Sequence, residues 1–190
     1  MVCDGNYMDE VVDFLRKVGS YSINTVRTYA PSAWNQYVCF KPSDSQPATL
    51  YKGSTSYRVN PYSLTELRSA DRRQYNAERI MYDIWQYGSV TATIKVFDPL
   101  KVDRLKQNFY LYKDGVYGYP WDGGDPNEYD GYHAICLIGW GEETIKGKNV
   151  KYWILRNSWG VSDWGLGGYC KFMRGENRAI VESDVWAVKI

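Results

Sequence analysis

The one histidine of this chain, His133, stands in the stretch Asp130-Gly131-Tyr132-His133-Ala134-Ile135-Cys136-Leu137-Ile138-Gly139-Trp140-Gly141. Imidazole is the side chain best suited to moving protons near neutral pH. Any acid–base chemistry through a histidine is therefore confined to this position, although a sole histidine is more often structural than catalytic. Farther along comes Asn157-Ser158-Trp159-Gly160. An asparagine oxygen held on one ring nitrogen would fix the imidazole tautomer and leave the other nitrogen for a nucleophile. A tryptophan two residues on would keep water from that bond. Taken alone, the tetrapeptide is explained more simply as a turn asparagine and a core tryptophan.

Four cysteines, at positions 3, 39, 136 and 170, could supply a nucleophile. Their spacing is not that of metal ligands, so no metal site and no cofactor is expected. Cys136 and Cys170 lie in apolar or aromatic runs and read as small buried thiols. Cys136 is also three residues beyond His133, which on a strand turns it to the opposite face. Cys3 and Cys39 lie in polar, turn-rich surroundings and are disulfide candidates. Cys3 also precedes a helix start, where a thiol pKa is lowered.

The elements that would position these groups are legible in outline. Met8, Val11, Val12, Leu15 and Val18 fall at helical spacing before Gly19, giving a helix over about 7–18. Residues 20–61 are rich in Tyr, Ser, Pro and Asn and read as irregular with short extended pieces. Ile80, Met81, Ile84 and Trp85 mark a second helix over 77–87, and residues 89–97 alternate as a strand. Residues 109–117 form a short aromatic segment broken at Asp114–Gly115. The apolar run after His133 reads as a buried strand, paired through a longer polar loop (142–149) with a second strand over 151–156. Further strands are expected over 168–173 and 179–188. Helix and loop thus come first, and a mostly antiparallel sheet second, with the boundary near residues 90–110.

Composition limits the partners. The formal net charge is +1 with both signs interspersed, so nothing argues for nucleic acid or a charged membrane surface. No apolar run approaches the ~18–20 residues of a membrane-spanning helix. The polar start, Met1 to Asn6, is not that of a signal peptide, and Asn-x-Ser/Thr does not occur.

Together, His133-Ala134-Ile135 with Gly139-Trp140-Gly141, Tyr152-Trp153, Asn157-Ser158-Trp159-Gly160, Trp164-Gly165 and Gly168-Tyr169 resemble the C-terminal half of papain-like cysteine peptidases. The resemblance extends through Cys3-Asp4-Gly5-Asn6-Tyr7, Tyr29 and Cys39. It is nearest to the cathepsin B branch over residues 80–96, 111–117 and 173–185. It implies an α+β, two-lobe papain-like fold: a helix- and loop-rich lobe over about 1–95 and an antiparallel, barrel-like β lobe over about 96–190. It implies His133 as general base, Asn157 as its orienting partner and Trp159 as the shielding aromatic. Gly5 and Asn6 would bind the substrate main chain, with Asn6 standing where the family has a second glycine. Asp184 aligns with the acid at the floor of a pocket that admits a basic residue on the substrate; a solvated carboxylate is the alternative. A peptide or protein substrate follows, as does a secreted or lysosome-like compartment.

Two departures shape the expectation. The family's nucleophile segment and the upstream glutamine of its oxyanion hole correspond to nothing here. The central helix that follows the nucleophile is likewise unmatched, so the domain reads as incomplete. The nucleophile is expected from an N-terminal segment or a separate light chain, with a propeptide as a further partner, and the resemblance implies that the disulfide partners of Cys3 and Cys39 lie in that N-terminal portion. The histidine pair behind cathepsin B's exopeptidase action cannot form from one histidine, so an endopeptidase is expected. The alternative is an inactive pseudo-peptidase serving as a peptide-binding or structural module.

Overall fold

The structure is a computed structural model that describes residues 7–22, 48–96, 108–120 and 131–190. Cys3, Gly5, Asn6, Tyr29 and Cys39 lie outside the described residues. The chain divides into two compact units, Met1–Ser56 with Val188–Ile190 and Tyr57–Ala187.

In the first unit, α1 (Met8–Lys17) carries Asp9 and Glu10 in its first turn and Arg16 and Lys17 in its last, each complementing the helix dipole. Val12 is buried and Gly19, at φ 93°, ends the helix. The short strands β1 (Ser20–Tyr21) and β2 (Leu50–Tyr51) pair antiparallel, and Gly53 N–H donates to Leu15 O at 3.2 Å.

The second unit is built on a sheet. In chain order the strands are β3 (Thr55–Arg58), β4 (Val90–Val96), β5 (Val116–Tyr117), β6 (Gly131–Ile145), β7 (Lys148–Arg156), β8 (Tyr169–Met173) and β9 (Val185–Lys189), of which the first two residues of β3 and the last two of β9 are counted with the first unit. They lie in the order β3-β9-β4-β6-β7-β8-β5. Antiparallel ladders join β9, β4, β6, β7 and β8, while β5 runs parallel to β8. Helix α2 (Ala70–Tyr87) turns Ala77, Ile80 and Ile84 into the core, where Ile94, Leu137, Trp153, Leu155 and Phe172 are fully buried. This is an α+β architecture, as the order of helix and strand signals implies.

Three boundaries differ from the sequence expectation. Helix α2 starts at Ala70 rather than 77, because Ser69 Oγ accepts from Arg72 N–H at 3.3 Å and caps two polar turns with no apolar period. The polar stretch 142–149 is strand except for its two central residues, not a long loop. Lys146 (φ 49°) and Gly147 (φ 77°) make a two-residue turn with both φ positive, so β6 and β7 stay paired out to Ile145 and Lys148. Its charges are used across strands: Asn149 Nδ2 donates to Glu142 Oε2 at 2.8 Å, and Lys171 Nζ to Glu143 Oε2 at 2.5 Å.

The third difference concerns 179–188, where only Val185–Lys189 is strand. Upstream, a 3₁₀ turn (Arg178–Ile180) carries positive φ at Ala179 (45°) and Ile180 (62°). The chain curls there around Glu182, whose buried carboxylate accepts from Gly175 N–H (2.6 Å), Asn177 N–H (2.8 Å) and the Trp153 indole (2.9 Å). Three donors converging on one buried carboxylate outcompete a ladder for those amides.

Candidate active site

His133 is the third residue of β6 and shares its core face with Ile135 and Leu137, since side chains alternate along a strand. Asn157 follows the last residue of β7. Whether the two meet depends on register. Near the hairpin tip Gly139 pairs with Ile154 and Trp140 with Trp153, but past a bulge Leu137 pairs with Leu155 and Cys136 with Arg156. Continued one residue, this register sets Asn157 opposite Ile135, on the face of His133. An unbulged ladder would set it opposite Cys136, on the other face.

The two side chains then meet, with His133 Nε2 and Asn157 Oδ1 2.8 Å apart. Ser158 N–H donates to the same Oδ1 at 2.8 Å, which identifies that atom as the amide oxygen. An oxygen cannot donate, so the proton of this bond is on His133 Nε2 and the neutral ring keeps Nδ1 as an acceptor. Asn157 N–H is held by Gly168 O at 3.0 Å. Gly168 has φ 87°, and a Cβ there would lie 2.9 Å from Gly160 O, so only glycine fits this turn. Burial pushes the imidazole pKa down, opposed by the bond to Asn157.

Trp159 lies against the imidazole, ring centroids 4.7 Å apart and planes tilted 31°. Two aromatics that sequence reading passed over complete the surround. Phe109 is buried and contacts the rings of His133, Trp159 and Trp164 at 6.3, 5.5 and 4.9 Å. Tyr110 stacks on Trp159 at 5.0 Å and 8°. The Trp164 indole N–H donates to Phe109 O at 2.8 Å and locks this 3₁₀ turn (Phe109–Leu111) to the site. The only sequence signal was the aromatic density of the segment, which does not say which rings touch.

The two thiols among the described residues, Cys136 and Cys170, lie elsewhere. Cys136 is on the opposite face of β6, where Thr91, Ala134, Cys136, Arg156 and Ser158 line an open depression of about 370 Å³. Burial pushes its thiol pKa up, against Ser89 and Arg156. Cys170 is buried in β8 and burial raises its pKa strongly. Asn157 also borders the depression, and its Nδ2 is buried with no partner among the described residues. Asp184 stands beyond β4: its Oδ2 accepts from Thr93 Oγ1 at 2.7 Å and its Oδ1 from the Trp186 indole at 2.8 Å. No group of His, Cys, Asp and Glu that could hold a metal exists among the described residues.

The family model described as papain family cysteine protease matches residues 1–188, and the chain belongs to that family. Within it, the likeness is to cathepsin B-type proteins. The chain is 29% identical over 191 residues to cathepsin B-like cysteine proteinase 3 of Caenorhabditis elegans, covering 97% of this chain and 46% of that one. It is 32% identical over 151 residues to a gut-specific cysteine proteinase of the same organism, covering 80% of this chain and 37% of the relative. The structure of procathepsin B S9 from Trypanosoma congolense superposes with a TM-score of 0.62 at 22% identity, covering 98% of this chain and 54% of that one. The chain thus spans about half the length of these relatives, and the fold is papain-like.

Proposed function

We propose that the chain is the larger part of a cysteine-type endopeptidase with a Cys/His/Asn site, completed by a nucleophilic cysteine from an N-terminal segment or a separate light chain. The observation that carries this reading is the 2.8 Å contact of His133 Nε2 with an Asn157 oxygen whose identity Ser158 N–H fixes. It leaves Nδ1 as the proton acceptor. His133 takes the thiol proton there and the thiolate attacks the peptide carbonyl. The imidazolium gives the proton to the departing amine, then draws one from the water that hydrolyses the acyl-enzyme. Asn157 orients the ring, and Trp159 keeps water from the bond between them.

The remaining roles follow the family likeness. Gly5 and Asn6 would bind the substrate main chain, Asp184 would favour a basic residue on the substrate, and a propeptide would associate with the precursor before activation. Thr93 and Trp186 hold the Asp184 carboxylate in one orientation, which would suit a cationic side chain.

The test is a thiol-directed, peptide-like covalent probe applied to the natural protein, with intact mass and a search for a co-purifying short chain. Labelling on a cysteine outside these 190 residues is expected, and Asn157→Ala should lower kcat more than KM. An unlabelled protein of 22.0 kDa would favour the peptide-binding pseudo-peptidase instead. The chain by itself is expected to cleave nothing.

A further inference from the structure

We propose that Tyr110 is a positioning residue that clamps Trp159 against His133. The inference rests on His133 being the working base, but its test needs no activity. Trp159 follows the end of β7 and precedes Gly160, which has φ 92°. No described residue hydrogen-bonds its indole, so ring contacts hold it: edge-on to Phe109 and Trp164 at 5.5 and 5.6 Å, and flat on Tyr110. Of these three, Tyr110 is the only one stacked in parallel, and the only one that is not buried.

Tyr110 is in turn held at a fixed height. Asn108 Oδ1 accepts its backbone N–H at 2.9 Å, Asn108 O accepts Leu111 N–H at 3.1 Å, and the Trp164 indole pins Phe109 O at 2.8 Å. A turn fastened at three points and presenting one flat ring to the indole is a rigid platform. Trp159 contacts both Tyr110 and the imidazole, at 5.0 and 4.7 Å, so loosening the platform would free the indole and admit water to the His133–Asn157 bond. Among the described residues, the groups facing the imidazole from β4, β7 and the turn are Ile94, Asn157, Trp159 and Phe109, and none of them titrates. Burial is the larger influence on the protonation of this ring and lowers its midpoint, against the bond to Asn157, so water admitted by a loosened platform should raise it.

His133 is the only histidine, so its imidazole gives one unambiguous set of NMR signals in the 190-residue chain. In the wild type these signals carry a ring-current displacement from Trp159 and a midpoint below the ordinary ~6.5. Tyr110→Ala should reduce the displacement and move the midpoint up toward ~6.5, whereas Tyr110→Phe should keep both. In the completed enzyme the same change should lower kcat about two- to tenfold with KM little altered, the range one aromatic pair supports. Should Tyr110→Ala unfold the turn, Tyr110→Leu fills its volume without a flat ring and the same two signals are read. An Ala or Leu variant whose signals coincide with wild type overturns the inference, as does a Phe variant that behaves like Ala. A protein that proves to lack any nucleophile would refute the peptidase reading and leave these two signals to decide on Tyr110.

Discussion

Gly141→Ala is expected to weaken the hairpin that carries both His133 and Asn157, and to do so through one neighbour. A Cβ at Gly141 would lie 2.5 Å from Tyr152 Oη, 2.6 Å from Cζ and 2.8 Å from Cε2. These atoms belong to one ring, which crosses the glycine from the paired position on β7. The ring must swing away, giving up its packing and the Lys171 ammonium 5.1 Å from its centroid. Overpacking of this kind costs about 1–3 kcal/mol. In a chain of this length each kcal/mol lowers the melting temperature by about 2–4 °C, so a drop of about 2–12 °C is expected. The decisive measurement is a double-mutant cycle by urea and thermal unfolding. In a Tyr152→Ala background the obstacle is gone, and the backbone preference of Ala over Gly should make Gly141→Ala neutral or stabilising by up to ~1 kcal/mol. Equal losses in both backgrounds would refute the reasoning, because the cost would then belong to the backbone at Gly141 and not to the ring.

Other perturbations address the same region. Deleting Ile138 should straighten the ladder with both registers kept, so the His133–Asn157 contact survives. Deleting Ala134 should turn His133 to the far face and abolish the contact, which imidazole NMR reads directly. The pKa of His133 is lowered in the fold, so the unfolded chain binds its proton first. Its contribution to stability should be intact above about 6.5 and lost as pH falls through the folded value, a slope that His133→Gln removes in chemical unfolding at stepped pH. Phe172→Ala, at a fully buried position in contact with Phe109 and Tyr117, should cost about 3–5 kcal/mol by urea unfolding.

What could be seen from sequence was governed by which interactions are local. Helix α1 reads off its apolar spacing and Gly19 because both signals are local, one within the helix and the other just past its cap. The meeting of His133 and Asn157 was also visible, through a motif whose glycines and tryptophans surround it. The strand ends from Glu142 to Asn149 were not, since the polar pairs that stabilise them join different strands and look like a solvated loop when read in line. Ala179-Ile180-Val181 has strand composition but wraps Glu182, and the donors that converge on that buried carboxylate from Gly175, Asn177 and Trp153 are what make the curl favourable. Phe109 and Tyr110 belong to a turn with no period, and their partner rings lie about fifty residues away in Trp159 and Trp164.

The tight turn at Lys146–Gly147 lies beyond the bulge from His133 and Asn157, so the two ends of this hairpin are decoupled. Length added at the tip extends or shortens the outer ladder without reaching the phase that the bulge sets for the inner one. The tip is therefore a graft point: a tag or a recognition loop inserted between Lys146 and Gly147 should be carried without disturbing the histidine. Single-residue changes between the bulge and His133 have no such freedom. One hairpin thus joins a tolerant end to an intolerant one, and Ile138 marks the frontier.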